Sequence, residues 1–127
     1  MNVPHLILAS QSPRRAQLLQ MLGLQFDTVP ADIDETYRTG EQPAPHAQRL
    51  AEEKAQAISA RYPGAVVIGS DTVVVLDGAV LGKPVDVEDA VRMLLSLQGR
   101  EHEVATGISV CIDGHSRSVV ERVQVRF

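Results

Sequence analysis

Apolar residues along this chain come as short β-branched runs and as helical stripes, separated by polar segments rich in Ser, Pro, Gly and Asp. Residues 5–9 form an apolar run that reads as a buried strand, and Ser10-Gln11-Ser12-Pro13 follows it at once. Ser12 suits an N-cap, Pro13 a first helical residue, and Gly23 the end of a helix over 13–22. Strand, polar turn and helix in that order put the turn at a strand's C-terminal end, where α/β sheets keep ligands. Gln25 to Val29 resembles a second strand. Residues 30–45 lack periodicity and hold three prolines, a glycine and an acidic cluster, so they read as an exposed loop. A helix is then expected from about Pro45 to Arg61, stopping at Tyr62-Pro63-Gly64. Its apolar stripe is Ala47, Leu50, Ala51 and Ile58, with Ala55 beside it.

The segment from Ala65 to Leu76 is a β-branched run interrupted by the polar triplet Ser70-Asp71-Thr72. Asp77-Gly78 is a hairpin signal leading into Ala79-Val80-Leu81, and Gly82-Lys83-Pro84 follows. Helix 87–97 carries Val87, Ala90, Val91, Leu94 and Leu95 on one stripe, with Gly99 to end it. Residues 102–112 and 116–127 alternate around Asp113-Gly114 and read as a hairpin that is strand-like to its last residue. There are no internal repeats, low-complexity stretches or linkers. The pattern is that of one α/β domain over residues 1–127.

Composition narrows the function classes. A chain of 127 residues holds one domain with a real core. Its net charge of −4 is spread over interspersed acids and bases, which argues against a nucleic-acid-coating or membrane-surface protein. Two Phe, two Tyr and no Trp give no base-stacking platform. The single cysteine, Cys111, makes no internal disulfide and reads as a buried reduced thiol. With no basic-then-apolar leader and no membrane-length run, a cytoplasmic protein is expected.

The candidate chemistry begins at Arg14 and Arg15. A helix N-terminus already carries about half a positive charge, so two arginines there are electrostatically misplaced unless they face an anion such as phosphate. The alternative is a solvated pair whose side chains swing away. Asp71 lies inside a run apolar enough to be buried, where a carboxylate must be paired or meet a metal, unless Gly69 to Thr72 bulges to the surface as a strand break. Lys54 falls within the apolar stripe of its helix, so it either snorkels outwards or reaches a buried anion. Glu53 is one step off that face, a metal ligand or a solvated acid. Asp32, Asp34 and Glu35 cluster in the long loop, either as a solvated acidic group or with one of them completing a divalent-metal site with Asp71. Lys83 sits on a rigid turn, suited to a phosphate but common on surfaces too. His5, His46, His102 and His115 share no metal-ligand spacing and read as structural or exposed. There is no Walker-type loop and no nucleophile elbow.

Together, Ser10, Arg14, Arg15, Lys54 and Lys83 would contact a polyphosphate, and Asp71 with a second carboxylate would form a magnesium-type site. Without a covalent nucleophile, the natural reaction is metal-assisted attack of water on a phosphoanhydride.

With Ala9-Ser10-Gln11-Ser12-Pro13-Arg14-Arg15, Glu53-Lys54-Ala55, Gly69-Ser70-Asp71-Thr72-Val73 and Gly82-Lys83-Pro84 in this order, the chain resembles the Maf family of nucleoside triphosphate pyrophosphatases. Leu97-Gln98-Gly99-Arg100-Glu101-His102-Glu103-Val104-Ala105-Thr106-Gly107 is similar to the family's next segment. The resemblance implies a Maf/ITPase-like α/β fold, with a mixed elongated sheet flanked by helices and a cleft between two lobes. It implies hydrolysis of a nucleoside triphosphate to monophosphate and pyrophosphate with Mg2+ or Mn2+, in a protein that is often a homodimer. Asp71 matches the residue that accepts a proton from water. Ser10, Arg14, Arg15, Lys54 and Lys83 match positions that hold phosphates or support catalysis, and Glu35 is the candidate second carboxylate, a metal ligand with Asp71.

Arg14 directly after Ser12-Pro13, with Thr72 after Asp71, looks like the branch acting on dTTP and UTP. The branch preferring 7-methyl-GTP carries an extra bulky residue before the arginines and glutamine after the aspartate. Family members continue beyond the equivalent of Phe127 into a segment with a base-selecting glutamine, so the resemblance makes this chain look C-terminally truncated. Two alternatives stay open: a nucleotide-binding remnant without turnover, and an interaction protein in division control, which the family's link to septum formation would fit.

Overall fold

The computed structural model describes residues 5–81 and 85–126, and Lys83 lies outside them. The elements are β1 (Leu6–Ala9), α1 (Pro13–Met21), β2 (Asp27–Thr28), α2 (Pro43–Ser59), β3 (Val66–Leu76), β4 (Ala79–Leu81), α3 (Val87–Leu97), β5 (Glu101–Ile112) and β6 (His115–Arg126). They form one six-stranded mixed sheet in the order β2-β1-β3-β5-β6, with β4 on β3. Strand β1 runs parallel to β2 and β3, whereas β3, β5 and β6 are antiparallel.

Local chemistry sets the boundaries. Ser12 Oγ accepts from Arg15 N at 3.4 Å, Pro13 opens α1, and Gly23 leaves it at a φ of +76°. Strand β2 is shorter than the apolar pattern suggests, pairing only Asp27 and Thr28 with β1. Helix α2 begins at Pro43, a turn-forming residue that is also tolerated in a helix's first turn, where its missing N–H has no partner to lose. Asp77 and Gly78 both take positive φ, 52° and 78°, as a two-residue hairpin turn requires.

Strand β3 is continuous. The triplet Ser70-Asp71-Thr72 does not break it: Ser70, Asp71 and Thr72 pair with Ile108, Gly107 and Thr106 of β5. Its alternation points Val67, Gly69, Asp71 and Val73 towards α2, and Ile68, Ser70 and Thr72 to the other face. The core lies between α2 and the sheet in two clusters. Ala55 and Ile58 meet Ile7, Ala9, Val67 and Cys111, and Ala44 and Ala47 meet Val73 and Ala105. Leu50 and Ala51 are buried on the same helix. Complete burial of Leu50 and Ile58 contributes about 1.5–3 kcal/mol each.

Two glycines let α2 approach. A Cβ on Gly69 would stand 2.2 Å from the Ala51 carbonyl oxygen, and one on Gly107 would stand 2.5 Å from that of Ala47. Helix α2 therefore rests backbone to backbone on β3 and β5.

The stripe of α3 departs from expectation. Its spacing is helical, but Val87, Val91, Leu94 and Leu95 are all at least half exposed. Periodicity reports a helix's amphipathic face and not whether a partner covers it. No helix among the described residues is long and apolar enough to cross a membrane.

Candidate active site

Strand lengths create the site. On one edge, β3 pairs with β1 only as far as Ala9↔Gly69, and with β4 only from Val74↔Leu81. Between them, Ser70 to Val73 have no ladder partner on that edge among the described residues. The gap lies beyond the C-terminal end of β1, where the Ser10–Ser12 turn leads into α1. In α/β sheets such a place leaves room for a ligand.

Two sets of side chains border this gap, one on each face of the sheet. On the α2 face, Lys54 Nζ lies 3.1 Å from Asp71 Oδ1 and 3.5 Å from Glu35 Oε1. Lys54 thus reaches inward to carboxylates and does not snorkel; its side chain is only 14% exposed. On the opposite face, Arg15 Nη2 donates to Thr72 Oγ1 at 2.9 Å, and Thr72 and Thr106 hydroxyls are 3.3 Å apart. Burial pulls the Arg15 pKa down and the Asp71 carboxylate pulls it back up, so the two sets are electrostatically linked.

A cleft of about 1170 Å³ opens here, with Ser10, Arg14, Arg15, Glu35, Lys54 and Thr72 in its walls. Asp71 is not in the walls itself but meets Lys54, which is. The rest of the lining is largely apolar, from Leu8, Ile68 and Ile108 on the sheet and Leu18 and Leu19 on α1. Ser10 Oγ accepts from Ser12 N at 3.0 Å, which holds the turn in place. His102 also lines the cleft, and its buried Nδ1 has no hydrogen-bond partner among the described residues.

No group of three or more His, Cys, Asp or Glu side chains converges on a cation position among the described residues. What converges is a pair, Glu35 and Asp71, both within contact of one ammonium. That donor set fits Mg2+ or Mn2+, since magnesium is commonly held by one or two carboxylates with water and substrate phosphates completing the shell. Asp32 and Asp34 do not join it. Asp34 accepts from Thr36 N and Oγ1, and those bonds hold its carboxyl below the usual range. Glu53 is engaged by Arg49 and Arg38 instead of approaching Asp71.

A second network, not anticipated from the sequence, lies beside the site. Arg49 donates from Nε to Glu41 Oε2 at 2.6 Å, from Nη1 to Glu53 at 2.9 Å, and from Nη2 to the Thr36 carbonyl at 3.0 Å. Glu41 Oε1 also contacts the buried His46 Nδ1 at 2.6 Å. Tyr37 stacks on the His46 ring with centroids 3.4 Å apart. Burial, then the charges of Asp71 and Glu41, push the Tyr37 phenol pKa upward. This network's one local signal is the i,i+4 spacing of Arg49 and Glu53, where Glu53 reads from sequence as a metal ligand or a solvated acid. The link to Glu41, outside the helix, had no signature.

Residues 5–127 match a family described as Maf-like protein. The chain is 52% identical over 124 residues to a dTTP/UTP pyrophosphatase of Syntrophus aciditrophicus (strain SB), covering 96% of this chain and 60% of that one. It is 47% identical over 121 residues to a dTTP/UTP pyrophosphatase of Geobacter sp. (strain M21), covering 95% and 63%. Against a dTTP/UTP pyrophosphatase of Vibrio cholerae serotype O1, identity is 48% over 128 residues, covering 100% and 68%. The chain thus spans 60% and 63% of the length of the first two relatives. Its fold is similar to that of a HAM1 protein from Coxiella burnetii, with a TM-score of 0.57, 18% identity, and coverage of 96% of this chain and 72% of that one.

Proposed function

The chain belongs to the Maf-like protein family, and on that premise we propose that it forms a nucleoside triphosphate pyrophosphatase domain that hydrolyses dTTP and UTP to the monophosphate and pyrophosphate. One observation carries the reading: Glu35 and Asp71 converge on Lys54 at a gap in the sheet whose other face carries Arg15, and Glu35, Lys54 and Arg15 line one cleft. Two carboxylates and several cations in so small a space suit a triphosphate with its metal. The dTTP/UTP pyrophosphatases to which the chain is similar support the choice of substrate.

In this mechanism Arg14 and Arg15 bind the phosphates, helped by Ser10 and the N–H groups at the start of α1. Thr72 orients Arg15 through the 2.9 Å bond to Nη2. Glu35 and Asp71 would hold a divalent cation, Mg2+ or Mn2+, which when bound neutralises charge on the phosphate oxygens. Lys54 moves from its carboxylates to a phosphate oxygen as the substrate enters, which uncovers Asp71. Asp71 then accepts a proton from the attacking water, a new P–O bond forms, and the anhydride between the α- and β-phosphorus breaks. Pyrophosphate leaves from the arginine side. Lys83 is proposed as a further phosphate contact from its match to the family motif.

The test is pyrophosphate release from dTTP, UTP, CTP and 7-methyl-GTP with Mg2+, on wild type and Asp71→Asn, with triphosphate binding measured in parallel. Turnover of dTTP and UTP that Asp71→Asn abolishes, with binding retained, is the expected result. Equal turnover by both proteins sinks the assignment of Asp71. Binding without turnover by wild type would replace a pyrophosphatase with a nucleotide-binding protein.

A further inference from the structure

The loop from Asp34 to Glu41 has no ladder or helical hydrogen bonds to hold it, yet it carries Glu35 to within 3.5 Å of Lys54. Side chains attach it to α2. Arg49 alone grips it at both ends: Nη2 binds the carbonyl of Thr36, the residue after Glu35, and both Nε and Nη2 bind the carboxylate of Glu41. The third arm of the guanidinium is fixed on Glu53, one helical turn along α2. His46 and Tyr37 close the arrangement, the first by its bond to Glu41 and the second by stacking on the first. The Arg49 side chain is 15% exposed and that of Glu41 is 10% exposed, so water competes little for these bonds.

We infer that Arg49 is a positioning residue that holds Glu35 at the Asp71–Lys54 pair and thereby sets the affinity of the site for a divalent cation. This rests on the metal-dependent reading of the site proposed above. A planar guanidinium suits the task because it serves three acceptors in fixed directions at once, which a lysine ammonium on a flexible stem does not. Partners that orient a metal-binding carboxylate change metal affinity by about tenfold to a hundredfold when removed.

The experiment titrates Mn2+ into the protein with a non-hydrolysable α,β-imido deoxyuridine triphosphate, following free Mn2+ by electron paramagnetic resonance. Wild type, Glu35→Gln, Arg49→Gln and the double variant are compared, each first shown to unfold cooperatively. Arg49→Gln is expected to weaken Mn2+ binding by about tenfold or more. The double variant should bind no more weakly than Glu35→Gln alone, because Arg49 acts only through Glu35. A merely structural arginine would give effects that add. Glu41→Gln serves as a second way to loosen the loop if Arg49→Gln does not fold, and Arg49→Lys should fall between wild type and Arg49→Gln. Additive losses, or Mn2+ affinity within twofold of wild type in the folded loop variants, overturn the inference. A wild type that binds no Mn2+ removes the metal reading itself, and the inference with it, before any variant is compared.

Discussion

Lys54 Nζ and Asp71 Oδ1 meet at 3.1 Å, a lysine from the middle of α2 and an aspartate from the middle of β3. Neither side chain lies in a surface loop, and both are largely buried, at 14% and 12% exposed. A pair so placed loses heavily when one partner is removed, because the remaining charge stays in a poorly solvated position.

Removing the ammonium therefore destabilises the fold. Lys54→Met leaves Asp71 and Glu35 facing each other without a cation, and a loss of about 1–3 kcal/mol is expected. Adding Asp71→Asn should recover part of it, since the uncompensated carboxylate is gone. Urea denaturation of the two single variants and the double variant measures the coupling. Strict additivity would mean that the pair makes no net contribution.

Gly69 and Gly107 give a second prediction. An alanine at either position places a methyl group against α2 backbone, with the Ala51 carbonyl 2.2 Å and the Ala47 carbonyl 2.5 Å away. Neither obstacle is a flexible side chain, so the helix itself must shift. Overpacking of this kind destabilises by about 1–3 kcal/mol or more. Turnover should fall as well, because the shift separates Lys54 from Asp71. An alanine variant with unchanged melting temperature would show that the two layers are not in contact there.

Substrate affinity is expected to depend on Arg15. Loss of charge-assisted hydrogen bonds to phosphate in Arg15→Gln removes about 1.5–3 kcal/mol of binding, so KM for the triphosphate should rise by about tenfold to a hundredfold. Thr72→Val, which unfastens Arg15 Nη2 and removes the hydroxyl contact with Thr106 but leaves the guanidinium charge, should give a smaller rise. Steady-state kinetics on dTTP separates the two, and equal effects would mean that Thr72 itself contacts the substrate.

Acid sensitivity should trace to Glu41. Its bonds to Arg49 are the largest cause holding its carboxyl pKa far below the ordinary 4.5, with His46 and the Arg38 N–H adding to them. The folded state thus binds this proton less readily than the unfolded state. The resulting stability is fully present above the unfolded pKa and is lost progressively as pH falls below about 4.5 towards the depressed folded value. Glu41→Gln should lower stability near neutrality and flatten its acid dependence. Melting temperatures recorded from about pH 6 down to pH 3 give the slope, and parallel curves for the two proteins would reassign the acid sensitivity.

The readable parts of this molecule were those with local causes. Ser12, Pro13 and Gly23 bracket α1 through capping and backbone preference, and Asp77-Gly78 dictates its hairpin by positive φ. Asp71 and Lys54 stood out because charge in an apolar run or stripe needs a partner, and the structure pairs them. Other features depend on distant contacts. Continuity of β3 through Ser70-Asp71-Thr72 comes from pairing with β5, which begins some thirty residues later in the chain. The exposure of the α3 stripe reflects the absence of a covering layer among the described residues, and no helical period encodes that. His46 reads only as structural or exposed, and Glu41 and Arg49 carry no signal of their link, because their value lies in a loop folding back onto the first turns of α2.

The seating of α2 on two bare glycine backbones has a mechanical consequence. Elsewhere, the spacing between a helix and a sheet floats with the bulk of the side chains trapped between them. Here hard contact of main chain on main chain acts as a stop, and the layers close to the same separation whatever fills the flanks. Ile58 or Leu50 can be exchanged for residues of slightly different bulk, and the protein will soften without carrying Lys54 away from Asp71. Sequence drift in the core and the alignment of Lys54 with Asp71 are thus decoupled, and the tolerance of the one protects the other.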